Sequence, residues 1–519
     1  MAEPGRTEMP ARGSVQSLSH RVAGGALSTF GATLAGRALA MAQSITVARL
    51  LDPYRVGLFA IISYFMRLAG TLCDLGISVA VTKLTAEYSA TRPRAVLGVI
   101  RRLLGMILGV SLAVGAVLFF GADRFASLYR EPSLGVLFRL AALSLVLAVL
   151  GGFRAALLLG FQRIHLHAGL SAFSALSMLV LTLALVPRLG LSGIIIASIL
   201  TECLAWLWAA RPLWRVVDRA AHERHDRARA PETSGQPDPA AVVSAPVVLG
   251  RVFHIAAPTF LNDLTLFGAA WFVRTYLAHL QGYEAVGLYQ IADSVSRTLM
   301  AVSGAIAIPL VPAIAELDAT DSGRVGGGLE TVLRCTLFVT LPGTIFLALA
   351  AQPLLALVFG HAYAAAGTIT AWLALATLFQ SLAHVFWSAQ VGTGRIWTGF
   401  GIAATGQGVL VLGTLVSAPS WGLTGLGISV TVAQAVTLGL AARNVMARLH
   451  MSLRGIAPLA PAAVFGWAAV AVLFWAGADG VTGAILLSTG VVLWQALRLR
   501  PTERRLVREM AASFGVRRA

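Results

Sequence analysis

Two stretches of this chain, 230 residues apart, carry one pattern. Residues 48–61 read ARLLDPYRVGLFAI and residues 278–291 read AHLQGYEAVGLYQI; they align without a gap, with six of 14 positions identical. A shorter pair, GLSGIII at 190–196 and GLTGLGI at 422–428, aligns at an offset of 232. The matched stretches sit beside long apolar runs, and such runs recur along the whole chain. It is 57% hydrophobic and 12% charged, against about 25% charged in soluble domains. Apolar runs of about 20 residues predict a polytopic α-helical membrane protein, whereas β-barrel strands of about 10 alternating residues do not fit.

Fourteen spans are expected, near 22–48, 56–82, 98–121, 134–158, 167–187, 190–211, 252–279, 285–313, 331–352, 365–390, 396–417, 422–442, 456–476 and 480–497. The two matches lay spans 1–2 on 7–8 and spans 5–6 on 11–12, so the repeat unit is six helices. Six is even, so both halves enter from one side, related by a pseudo-twofold axis along the membrane normal. The expected organisation is an N-tail (1–21), an N-lobe of spans 1–6 (22–212), a linker (213–250), a C-lobe of spans 7–12 (251–450), spans 13–14 (451–497) and a basic tail (498–519). The linker is charged and then rich in Pro and Ala, which predicts partial disorder. The polar opening residues lack an apolar core with a cleavage site, so the first span is expected to be a retained helix.

The net charge of +17 could suggest a nucleic-acid partner, but its placement argues for topology. With a cytoplasmic N-terminus, 30 of the 40 Lys and Arg residues fall on cytoplasmic segments, including Arg154, Arg163, Arg324 and Arg334. Five fall on outer loops (Arg49, Arg55, Arg124, Arg130, Arg188) and five inside spans (Arg37, Arg67, Arg139, Arg274, Arg297). That is the positive-inside pattern, with both termini cytoplasmic. Cys73, Cys203 and Cys335 have no CxxC spacing, so no disulfide framework or metal site is implied, and no cofactor is expected.

The run ITVARLLDPYRVGLFAI, followed by LCDLGISVAVTKLTAEY, resembles the polysaccharide-exporter (Wzx-type) branch of the MOP flippase superfamily, which also includes the lipid II flippase and the multidrug MATE exporters. Asp74-Leu75-Gly76 supplies the family's second element, and YEAVGLY at 283–289 resembles its motif at the start of span 8. The resemblance covers about residues 20–450. It implies a 14-helix, two-lobed, alternating-access carrier for a polyprenyl-diphosphate-linked oligosaccharide. One departure is that the family's Asp-Arg pair in span 7 is here Val273-Arg274.

A charge in mid-bilayer costs about 2.5–3.5 kcal/mol, so a deep arginine faces either a partner or a wet cavity. At offset 230, Arg67 falls on Arg297, and the pseudo-twofold would place both at one depth on opposite lobes. Two guanidiniums facing each other across a cavity suit a diphosphate; the alternative is local pairing, through Asp293 at i−4 of Arg297 or Asp74 at i+7 of Arg67. Arg37 and Arg274 complete the cationic set, with packing or snorkelling as their alternatives. Asp263 follows Pro258, which makes span 7 a candidate for bending; Pro309 and Pro312 offer the same in span 8. Asp263, Glu202 and His384 are candidates for ion coupling or structural pairing. Arg139 is expected at the outer interface, and Trp214, Trp397 and Trp421 as interface anchors.

No GxxxxGK[ST], HExxH or GxSxG motif sits in a supporting context. The expected activity is therefore secondary transport: a flippase for a lipid-linked oligosaccharide, with a MATE-like cation antiporter as the alternative. The expected partners are that lipid, membrane lipids and polysaccharide polymerase machinery; a monomer suffices. A glycan polymerase is disfavoured by short outer loops, the longest about 122–133, and a sugar-phosphate transferase by the sparse Glu316, Asp318 and Asp321.

Overall fold

The computed structural model describes residues 36, 38–91, 93–229, 245–300, 310–311, 314, 322–449, 460–475 and 480–498, and the regular elements among them are all helical. In chain order they are α1 (Ala38–Leu50), α2 (Pro53–Asp74), α3 (Ile77–Thr91), α4 (Pro93–Phe120), α5 (Ala122–Leu128), α6 (Leu134–Gly160), α7 (Ile164–Leu189) and α8 (Leu191–Arg229). Then follow α9 (Ala245–Thr298), α10 (Ser322–Val358), a 3-10 turn (His361–Ala366), α11 (Gly367–Gly392), α12 (Ile396–Leu449), α13 (Ala460–Trp475) and α14 (Gly480–Leu497). Among the described residues, nine helical segments are long and apolar enough to cross a membrane, and the protein is a multi-pass membrane protein.

Local chemistry explains where the helices break. Asp52 caps α2: its side chain accepts from Arg55 N at 2.8 Å, and Pro53 opens the helix, where a missing N–H costs nothing. Span 2, expected unbroken, is interrupted at Leu75 (φ 47°) and Gly76 (φ 73°). A side chain on Gly76 would put its Cβ 2.7 Å from the Ala256 Cβ, so this break packs directly on α9. Asp74 closes the break by accepting from the backbone N–H and hydroxyl of Ser78 in the first turn of α3.

Both halves of the repeat show the same geometry. Gly190 (φ 57°, ψ −133°) and Gly422 (φ 53°, ψ −131°) divide their helix pairs alike. Just beyond them, Gly193 lies against the Leu185 carbonyl and Gly425 against that of Ser417, again 232 apart. The chain also leaves helical geometry at Gly282 (φ 83°, ψ 175°), splitting α9 into two arms. The second arm crosses α2 at Gly57 and Gly287, positions 230 apart. A Cβ on Gly57 would overlap the Tyr283 carbonyl, and one on Gly287 that of Pro53. Tyr283 and Pro53 are themselves 230 apart, so the crossing is isologous. Small residues let membrane helices approach this closely. The largest apolar core surrounds the junction, with Ile61, Leu277, Val286, Leu341 and Leu373.

Several expectations fare differently. Helix continues beyond 212 to Arg229 and resumes at Ala245, so both ends of the 213–250 linker are helical; 230–244 lie outside the described residues. So do Arg37, Pro309, Pro312, the acidic set at 316–321 and the tail beyond 498. The backbone passes through Pro258 in helical geometry, and the departure in α9 comes at Gly282 instead. Arg154 and Arg334, counted with the loops, are 3% and 2% exposed inside α6 and α10. Arg334 donates to the Arg498 carbonyl at 2.8 Å, tying α10 to the end of α14.

Candidate functional site

The two arms of α9 hold a polar cluster against α2. Arg274, on the first arm, is 1% exposed. Its Nη2 donates to Asp293 Oδ2 at 2.9 Å, its Nε and Nη2 to Gln290 Oε1 at 3.2 Å, and its Nη1 to the Ala270 carbonyl at 3.1 Å. Its Cζ lies 3.5 Å from the Tyr64 ring centre and 4.8 Å from that of Tyr289. The snorkelling alternative for Arg274 is thus overturned. A guanidinium this well paired and stacked does not need to reach water, because burying a charge is tolerable once it is paired and hydrogen-bonded.

Asp293 serves two arginines. Besides Arg274 it accepts from Arg297 Nε at 2.7 Å and from the Tyr64 hydroxyl at 3.4 Å. Arg297 is the exposed member, its side chain 46% accessible. Arg67, also exposed, has no ion pair or hydrogen bond to its guanidinium among the described residues; its Cζ stands 6.0 Å from the Tyr64 and Phe267 ring centres. The Arg67–Asp74 pair considered from spacing does not form, since Asp74 caps α3. Arg274 and Arg297 share the Asp293 carboxylate, so that trio carries a net charge of +1, and Arg67 is a further cation beside it.

The repeat explains how this cluster is one-sided. Arg274 and Tyr64 correspond at offset 230 to Ser44 and Ser294, and that pair makes a hydroxyl contact of 3.0 Å. Gln290 and Asp293 correspond to Ala60 and Ser63. One contact between the halves is therefore built twice, as a serine pair and as an arginine-tyrosine stack, and only the second copy carries charge.

Beside the cluster lies a cavity of about 490 Å³, lined among others by Ser63, Arg67, Asp74, Ser198, Phe260 and Asp263. Asp263 accepts from Asn262 Nδ2 at 3.3 Å. Arg67 is thus the residue common to cavity and cluster. Glu202 lies elsewhere: it takes Arg154 Nη2 at 3.2 Å, while Arg154 stacks 4.9 Å from the Trp206 ring centre. Gly151 makes room, as a Cβ there would sit 2.5 Å from Glu202 Oε2. His384, on α11, does not line the cavity. Arg139 binds Asp123 at 2.6 Å on an exposed surface.

The end of the molecule where Gly57 meets Gly287 is tied across the halves. Arg49 donates to the carbonyls of Val358 (2.7 Å) and Leu357 (2.6 Å), and Tyr363 to that of Leu51 (3.1 Å). Tyr283 donates to the Tyr129 carbonyl, and Trp271 Nε1 to the Tyr129 hydroxyl at 2.9 Å. Tyr54 donates to Glu131 at 2.6 Å and meets Tyr283 edge-on at 5.5 Å. Hydrogen bonds from Ser133 and then Tyr54 hold the Glu131 carboxyl below its usual range.

Sequence reasoning did not single out Tyr64, Gln290, Arg154 or Trp206. For Arg154 a signal exists: the apolar run AALLLG continues after it, so the helix does not end there. Tyr64 and Gln290 carry none, since their partners lie on other arms.

Residues 22–318 match the family described as polysaccharide biosynthesis protein. No curated protein sequence matches the chain. Among solved structures, the lipid II flippase MurJ in an inward closed conformation superposes with a TM-score of 0.65 at 14% identity, covering 90% of this chain and 98% of that one. An inward-facing multidrug resistance MATE transporter of the MOP superfamily gives 0.60 at 15%, covering 81% and 95%. A MOP-superfamily transporter from Pyrococcus furiosus gives 0.57 at 14%, covering 82% and 96%. The fold is that of MOP-superfamily transporters, and the chain belongs to the polysaccharide biosynthesis protein family.

Proposed function

We propose that this protein flips a polyprenyl-diphosphate-linked oligosaccharide across the cytoplasmic membrane of a prokaryote by alternating access. The observation that carries the reading is the set of three arginines between the halves around the one carboxylate of Asp293, two of them accessible, Arg67 and Arg297. A diphosphate offers several acceptor oxygens to such guanidiniums. Arg274, sealed under Tyr64, holds Asp293 in place rather than meeting substrate. Asp293 keeps Arg297 oriented until a stronger anion arrives. The likeness to a lipid II flippase supports a lipid-linked substrate, and the family supports a role in making surface polysaccharide.

The positive-inside pattern supports a cytoplasmic placement of both termini, with the Gly57–Gly287 end outward. In this orientation the inter-half ties close the outer end, and transport requires them to part. Asp74 and Asp263, which line the cavity with Arg67, are the groups placed to bind a coupling proton or cation. Two carboxylates against one arginine in that cavity also favour a second reading, a MATE-like cation antiporter.

The test is a flipping assay in liposomes with a fluorescent polyprenyl-diphosphate oligosaccharide, comparing wild type with Arg67→Ala/Arg297→Ala. Translocation by wild type and its loss in the folded double variant is the expected result. Translocation that survives the substitutions refutes the site. No translocation, together with organic-cation transport driven by a Na⁺ or H⁺ gradient, refutes the flippase reading in favour of the antiporter.

A further inference from the structure

A second cavity, of about 330 Å³, lies at the end of α12 and shares no lining residue with the first cavity or the cluster. It is lined by Ile402 from the first arm of that helix and by Leu440, Arg443, Asn444, Ala447 and Arg448 from the second. Residues 443, 444, 447 and 448 share one helix face by their spacing. Both arginines are exposed, and neither forms an ion pair among the described residues. Two guanidiniums, an amide and an apolar wall therefore converge on one hollow, with no carboxylate among the described residues that line it.

The depth of the hollow follows from its neighbours. Trp397, 55% exposed, starts the same arm as Ile402, and tryptophans of this kind sit at headgroup level. Ile402 lies five residues further in, about 7.5 Å at the helical rise. With Trp397 at headgroup level, that rise sets the arginines at the depth of lipid phosphates and the Ile402–Leu440 wall at the start of the acyl chains. Basic pockets between helices at this level suit anionic headgroups, and the planar guanidinium matches a phosphate's geometry.

We propose that this hollow is a binding site for an anionic glycerophospholipid, its phosphate held by Arg443 and Arg448 with Asn444 and its first methylenes on Ile402 and Leu440. The site is separate from the central cluster and independent of what that cluster carries.

The test uses the purified full chain and native mass spectrometry, comparing binding of palmitoyl-oleoyl phosphatidylglycerol with the phosphatidylcholine of the same chains. Wild type is expected to prefer phosphatidylglycerol. Arg443→Gln/Arg448→Gln should weaken its binding about thirtyfold, the loss of two arginines near an anionic surface at tenfold per about 1.4 kcal/mol. Ala447→Trp keeps both charges and fills the hollow, and should lose the preference as well; it decides the matter if the double variant does not fold. Arg395→Gln, at the same end but outside the hollow, should leave the preference intact. A preference that survives Ala447→Trp or the double substitution overturns the proposal, as does an equal loss in Arg395→Gln. Inorganic phosphate binding as tightly as the lipid would overturn the lipid as occupant.

Discussion

The isologous crossing of α2 with the second arm of α9 makes a quantitative prediction. Gly57→Ala places a methyl group into the Tyr283 carbonyl, and Gly287→Ala places one into that of Pro53. Non-bonded carbon contacts relax only near about 3.5 Å, so either change must part the helices. The atoms each methyl group would meet are backbone, which cannot rotate away as a flexible side chain can. Overpacking of this kind costs about 1–3 kcal/mol, and each single variant should lose that much. The second alanine, however, enters a crossing that the first has already opened. The double variant should therefore fall short of the sum of the singles by a coupling energy on the order of 0.5–3 kcal/mol. Thermal unfolding in detergent reads this directly, with Gly408→Ala as control, because nothing lies within 4 Å of a Cβ there. That control should be neutral or slightly stabilising, since alanine is the better helix former. Singles that melt with wild type, or a strictly additive double, would refute the close crossing.

Two further predictions follow from the charges. Asp293→Asn removes the carboxylate shared by Arg274 and Arg297 and leaves a fully buried guanidinium without its counter-charge; the expected loss is about 3–5 kcal/mol, read as a lowered melting midpoint, while Arg297→Gln on the exposed side should lose far less. Glu131 has a depressed carboxyl pKa in the folded state, so its contribution is present above the unfolded value and fades as pH falls through the folded one. The melting difference between wild type and Tyr54→Phe should accordingly shrink on acidification below the ordinary carboxylate range, and a difference that grows there would contradict the Tyr54–Glu131 contact.

The glycines at 57, 190, 287 and 422 show how much of the architecture was legible. They stand out in the sequence because the repeat preserves them, and the structure gives the reason: two occupy a positive-φ corner and two a helix crossing with no room for a Cβ. The candidate site was legible only along single helices. Asp293 and Arg297 at i, i+4 could be read off and are paired. The same spacing logic suggested Arg67 with Asp74, yet Asp74 turns to Ser78, because the helix stops at Leu75 and leaves the N–H groups of α3 to be satisfied.

The sequence by itself determined that this chain spans a membrane in helices, that it is built from a repeat, and that arginines 230 residues apart occupy equivalent places. Those are properties of composition and period, which each helix expresses alone. Only the tertiary structure decided which arginine is sealed and which is open. Arg274 lost its access to solvent because Tyr64, from the other half, covers its guanidinium, and Arg67 kept its freedom because the equivalent of Asp293 in its own half is Ser63. Burial and pairing of a charge depend on what other helices bring to it, and no periodicity along one helix carries that information.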